Sequence, residues 1–206
     1  MQKLIVKIGD LKKSELRQTV DVRLNEFKSL GKQIKEEVFK ELCFCLLTAN
    51  YSAEGGMRMQ DEIGDGFITF PKEKLAIILK ELGHRFPEAR AGYIVEARKH
   101  IWTLDEVLLM PGESAREWLV KNVKGLGFKE ASHFLRNVGF ENLAIIDFHI
   151  VDILVKNGMI EKPKTLTPKR YMEIEKVLKK LGGEMGMSMA ELDLYLWYCE
   201  TGKVLK

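Results

Sequence analysis

Residues 123–154 read VKGLGFKEASHFLRNVGFENLAIIDFHIVDIL. Two glycines, Gly125 and Gly127, bracket Leu126, and residues of helical character lie on both sides of them. Glycine is needed where the backbone takes positive φ or where two segments approach closely. The pattern predicts a tight hairpin between a helix that stops near Asn122 and a second that starts near Phe128, the whole motif occupying 115–138. Such a hairpin aims backbone N–H groups outward at the start of the second helix, where the macrodipole favours an anion. A DNA phosphate is a natural ligand for them, which makes Gly125 and Gly127 candidate DNA contacts. A plain helix–helix turn would show the same two glycines.

Lys129 falls in the first turn of the second helix. A cation there opposes the helix dipole, a bias toward the neutral amine that a nucleophile requires. A helix from Phe128 to Val138 would span about 16 Å, and the eight residues after Gly139 reach about 26 Å if extended. The chain can therefore turn back and set Asp147 beside Lys129. Asp147 also suits the N-cap of an apolar helix over Phe148, Ile150, Val151, Ile153 and Leu154. Read singly, the lysine is also a solvated side chain and the aspartate a structural cap.

Working outward, helical periodicity continues almost everywhere. From Lys32 to Thr48, Ile34, Val38, Phe39, Leu42, Cys43, Leu46 and Leu47 recur at steps of three and four. Helix starts are signalled at Pro87, Ser114, Pro168 and Ser188, with others expected near 14–30, 53–63, 72–82 and 104–110. Gly-rich patches at 55–56, 64–66 and 182–186 read as loops. The only strand-like run, Leu143 to Ile146, has no partner to make a sheet. The expected fold is all-α.

The chain has 206 residues, 33 Lys and Arg against 30 Asp and Glu, and a net charge of +3, mildly basic and compatible with nucleic acid. No apolar run reaches the roughly 18 residues of a membrane span, and the charged start MQKLIVKIGDLKK does not make a signal peptide. An intracellular protein that does not engage a membrane is expected. Ten Asn and Gln stand against 63 charged residues, a thermophile-like balance. Cys43, Cys45 and Cys199 fit neither a disulfide framework nor paired CxxC metal spacing.

KGLGFK, followed after seventeen residues by Asp147 in IIDFHI, resembles the helix-hairpin-helix DNA glycosylase superfamily, whose bifunctional members carry lysine after the hairpin and aspartate at this spacing. LLTANYSAEGG, GHRFPEARAGYIVEAR and the ending DLYLWYCETGKVLK extend the resemblance over most of the chain from about residue 35. The ending is most similar to archaeal and thermophile-type 8-oxoguanine DNA glycosylases. Only Cys199 lies near the C-terminus, so the four-cysteine iron–sulfur cluster of the endonuclease III branch cannot be built.

The resemblance implies one unit of two helical lobes flanking a DNA-binding cleft. The terminal helices would form one lobe and about 65–155 most of the other, with a Gly/Asp loop after the hairpin. It implies a monomer, acting on double-stranded DNA that carries 8-oxoguanine, in the cytoplasm of a thermophilic prokaryote and associated with its nucleoid. Lys129 would attack the sugar and Asp147 would stabilise the developing positive charge. Asn50 would fill the space left by the extruded nucleotide, and His149 would contact a phosphate. Phe86, Trp197 and Lys206 would form the base pocket. No cofactor is required, although a monovalent or divalent cation can sit on hairpin backbone carbonyls. Two readings compete: the same chemistry on another oxidised base, and a DNA-binding module without chemistry.

Overall fold

A computed structural model describes residues 2–206. In chain order the helices are α1 (Gln2–Lys12), α2 (Leu16–Leu30), α3 (Lys35–Thr48), α4 (Ala53–Ile63), α5 (Gly66–Thr69), α6 (Lys72–Glu81) and α7 (Pro87–Ala97). After a 3-10 turn at Arg98–Thr103 follow α8 (Leu104–Leu108), α9 (Gly112–Asn122), α10 (Phe128–Asn137), α11 (Phe148–Lys156), α12 (Pro168–Met185) and α13 (Met189–Thr201). No strand occurs among the described residues, and no helix in them is long and apolar enough to cross a membrane.

Two apolar cores organise these helices. The first gathers α3 to α10 around Phe39, Leu42, Phe44, Phe67 and Phe134, each fully buried. The second joins α1, α2, α11, α12 and α13 around Ile8, Ile146, Leu154, Leu194 and Tyr195. Fully burying one such side chain contributes about 1.5–3 kcal/mol. The change of core falls between Leu143 and Ala144. The middle lobe therefore begins at α3 rather than near residue 65, and α11 belongs with the terminal helices. The reason is packing: α3 lies against α4, α7 and α10, whereas α11 lies against α13. From Glu41 to Thr48 every residue of α3 is buried, as expected of a helix covered on all sides.

Several local expectations change. Gln2–Lys12 forms α1, held to the second core by Leu4 and Ile8. Gly182 and Gly183 lie inside α12, because a Cβ at Gly182 would come within 2.3 Å of Met189 Cε and only hydrogen lets that end of the helix approach. The helix ends instead at Gly186, whose φ is +59°.

The apolar run 143–146 has no partner strand, yet three of its backbone groups are paired. Ala144 N–H donates to Glu175 Oε1 at 2.9 Å, the Tyr171 hydroxyl donates to the Ala144 carbonyl at 2.7 Å, and Ile146 N–H donates to the Tyr171 oxygen at 3.1 Å. Side chains of α12 supply what a neighbouring strand would in a sheet.

Candidate active site

A cavity of about 740 Å³ is lined from both cores. Asn50, Lys129, Asp147, His149, Trp197 and Lys206 all border it. Two helix starts converge here: Lys129 is in the first turn of α10, and Asp147 is the N-cap of α11, its Oδ1 accepting from Ile150 N–H at 2.9 Å. The Lys129 side chain is 23% exposed, with Nζ 4.0 Å from Glu130 Oε1. The same cavity thus holds a primary amine and a carboxylate presented by two helix N-termini.

Aromatic groups flank the pair. The His149 ring lies 3.9 Å from Phe148 and meets Trp197 edge to face at 5.0 Å. Phe148 is 70% exposed while bordering the cavity, so a flat apolar surface is open to whatever enters. Asn50 sits at the exposed end of α3 with φ +61°, the only non-glycine residue among those described with positive φ. Asn tolerates that conformation better than most residues. The bond from Arg90 Nη2 to the Ala49 carbonyl, 2.7 Å, fixes the turn beside it.

The last residue is anchored rather than loose. Lys206 Nζ bonds Glu41 Oε2 at 2.8 Å and also reaches Gln60 Oε1, and it lies 4.4 Å from the Phe44 ring centroid. Glu41 is 1% exposed and also accepts from Asn137 Nδ2 and Gln60 Nε2. A buried carboxylate needs such partners. The ammonium of Lys206 is therefore tied to a buried carboxylate, in a residue that also borders the cavity.

The family model described as 8-oxoguanine DNA glycosylase matches residues 20–187. The chain belongs to the 8-oxoguanine DNA glycosylase family. An 8-oxoguanine DNA glycosylase/AP lyase of Methanocaldococcus jannaschii is 55% identical over 205 residues, covering 98% of this chain and 99% of that one. Its crystal structure with a 15mer DNA containing 8-oxoguanine superposes with a TM-score of 0.96 at 54% identity, covering 99% of this chain and 100% of that one. The crystal structure of the Thermotoga maritima 8-oxoguanine DNA glycosylase gives 0.95 at 46% identity, over 100% and 99% of the two chains.

In this member of the glycosylase family the cavity has further walls that were not anticipated. Arg136 Nη1 and Asp193 Oδ2 form a buried pair at 2.5 Å. Burial first, and the neighbouring charge of Asp147 against the pull of Arg136, raise the Asp193 carboxyl to about 6. His133 borders the cavity too, and burial together with the charges of Arg136 and Lys129 pushes its imidazole well below the usual range, so it is neutral. One signal was visible in the sequence: Lys129, His133 and Arg136 recur at i, i+4 and i+7, one stripe of α10.

Three of the candidate site residues are not part of the cavity lining. Phe86 does not border the cavity; it caps α7, 41% exposed, with its N–H donated to His84 Nδ1, and Arg85 borders the cavity in its place. Gly125 and Gly127 lie outside the cavity as well, and Gly127 N–H is already donated to Glu130 Oε2 at 3.2 Å. A carboxylate three residues into a helix is a natural acceptor for that otherwise unpaired amide. A phosphate at the start of α10 would have to displace it.

Gly125 nonetheless carries a strict backbone demand. Its φ is +94°, and a Cβ there would come within 2.4 Å of Tyr93 Cδ2. Gly125→Ala is expected to lower stability by about 1–3 kcal/mol, read as a fall in thermal midpoint, and to weaken binding of undamaged duplex DNA in a filter-binding titration.

Proposed function

We propose that this protein excises 8-oxoguanine from double-stranded DNA and then cuts the abasic strand by β-elimination. One observation carries the reading: Lys129 and Asp147, at the starts of two helices, border the same cavity as the chain's last residue. The family match and the full-length relatives named for this activity support the substrate. A cavity of about 740 Å³ is ample for one nucleotide, so the damaged base would be turned out of the stack to reach it.

In the proposed reaction the neutral Lys129 Nζ attacks C1′ of the damaged nucleotide. The glycosidic C–N bond breaks, its electrons leave with the base, and the base takes up a proton. The Asp147 carboxylate stabilises the positive charge that builds on the sugar as that bond lengthens. Ring opening gives a Schiff base between Lys129 and C1′. Loss of a C2′ proton then expels the 3′ phosphate, and water releases the enzyme. Trp197 and Phe148 offer flat faces to the extruded base, His149 steadies a phosphate, Asn50 enters the vacated space, and the Gly125 side of the hairpin grips the DNA backbone.

The protein would act as a monomer in the cytoplasm, on nucleoid DNA. No cofactor is proposed to be required, and a cation at the hairpin would rest on its backbone carbonyls. No step of the chemistry runs through it. Three cysteines cannot supply four thiolates to an iron–sulfur cluster.

The test is excision and strand cleavage on duplexes carrying either 8-oxoguanine or an oxidised pyrimidine, with borohydride added to trap the intermediate. Preferred release of the pyrimidine would replace the substrate, and no trapped adduct with either would remove the Schiff base. Deleting Lys206 is expected to weaken 8-oxoguanine excision while cleavage at a preformed abasic site persists. It should also cost about 1–3 kcal/mol of stability, because Glu41 loses its cationic partner.

A further inference from the structure

Lys129 and Asp147 come from different cores, so something must set their separation. Tyr171 on α12 touches the framework of both. Its ring packs 5.6 Å from Phe128, the residue before Lys129. Its oxygen lies 3.4 Å from Ser132 Oγ, one turn beyond Lys129 on the same helix. The same hydroxyl is bonded to the Ala144 carbonyl and the Ile146 N–H, the latter one residue before Asp147.

The proton count closes around this oxygen. The single hydroxyl proton goes to the Ala144 carbonyl, the shortest of the three contacts, and the Tyr171 oxygen accepts from Ile146 N–H and from the Ser132 hydroxyl. Ser132 Oγ in turn accepts from Arg116 Nη1 at 3.3 Å. Arg116 and Glu175, each 1% exposed, are joined through both guanidinium ends at 3.0 and 2.9 Å, and Glu175 holds the Ala144 N–H. These bonds link α9, α10, α12 and the segment that delivers Asp147. Each backbone group bonded in that segment is held by α12, and the Tyr171 hydroxyl hydrogen-bonds to both sides.

We infer that Tyr171 is a positioning residue: its hydroxyl fixes the segment carrying Asp147 against the helix carrying Lys129, and so sets the geometry of the reacting pair. The inference rests on the catalytic reading of those two residues given above. Tyr171 borders no part of the cavity, and it would act only through them.

The experiment is Tyr171→Phe, which keeps the ring and deletes the hydroxyl. Single-turnover excision of 8-oxoguanine at saturating enzyme is compared with the Kd for a duplex carrying a tetrahydrofuran abasic analogue. The expected result is excision slowed about 10–100-fold, the cost of a small misplacement of reacting groups, with Kd unchanged within about twofold. Unchanged excision overturns the inference, even if the thermal midpoint falls. So does a loss of excision matched by an equal loss of binding, which would mean a purely structural role. Should Tyr171→Phe not fold, Ser132→Ala cuts only the α10 side of the joint; it should slow excision at unchanged Kd, and wild-type rates there would overturn the inference. Wild-type protein that yields no borohydride adduct would instead sink the Lys129 chemistry itself, a result separable from any of these.

Discussion

Lys129→Gln is expected to abolish excision and borohydride trapping together, slowing base release by at least about ten-thousandfold, equivalent to about 5.5 kcal/mol of transition-state stabilisation. Glutamine, one atom shorter, keeps most of the side chain's packing but cannot form a Schiff base. The fold should survive, since the Lys129 ammonium makes only a long contact, 4.0 Å, to Glu130. Binding of lesion-containing duplex is expected within a fewfold of wild type. An adduct that persists in the variant would place the nucleophile on another amine of the cavity, with Lys203 and Lys206 the groups to examine. Excision that persists without any adduct would point to water as the nucleophile.

Asp147→Asn separates the two roles of the aspartate. Asparagine is as good an N-cap as aspartate, so the bond to Ile150 N–H and the start of α11 should remain. The negative charge is what disappears. Excision is expected to fall about 10²–10³-fold, roughly 3–4 kcal/mol, the usual cost of removing one charge-stabilising group from an enclosed site, while the thermal midpoint moves little. A large fall in midpoint with unaltered excision would make Asp147 a structural cap and no more.

The helical class was legible because the apolar spacing of α3, α7 and α12 is helical over many residues, and caps such as Ser188, Pro87 and Asp147 mark true helix starts. That Lys129 and Asp147 border one cavity was legible for a different reason: the loop between them is short enough to return to the start of α10, and the hairpin before them is distinctive. Asp193 and Glu41 were not. Each lies in an apolar helix beside core residues, and only the tertiary fold shows that one meets Arg136 and the other meets Asn137, Gln60 and Lys206. Phe86 is placed in the base pocket by the resemblance alone, and here its ring is 41% exposed beside the cavity-lining Arg85.

The way segment 143–146 is held has a consequence for synthesis. The hairpin and α10 precede α12 in the chain, but the segment before Asp147 is held by bonds from Tyr171 and Glu175, and the cavity is completed by Asp193, Trp197 and Lys206. A nascent chain therefore has its hairpin before α12 and α13 leave the ribosome. Until they dock, the segment that carries Asp147 lacks the partners that hold it at the cavity, so on the proposed mechanism an unfinished molecule would not cut DNA.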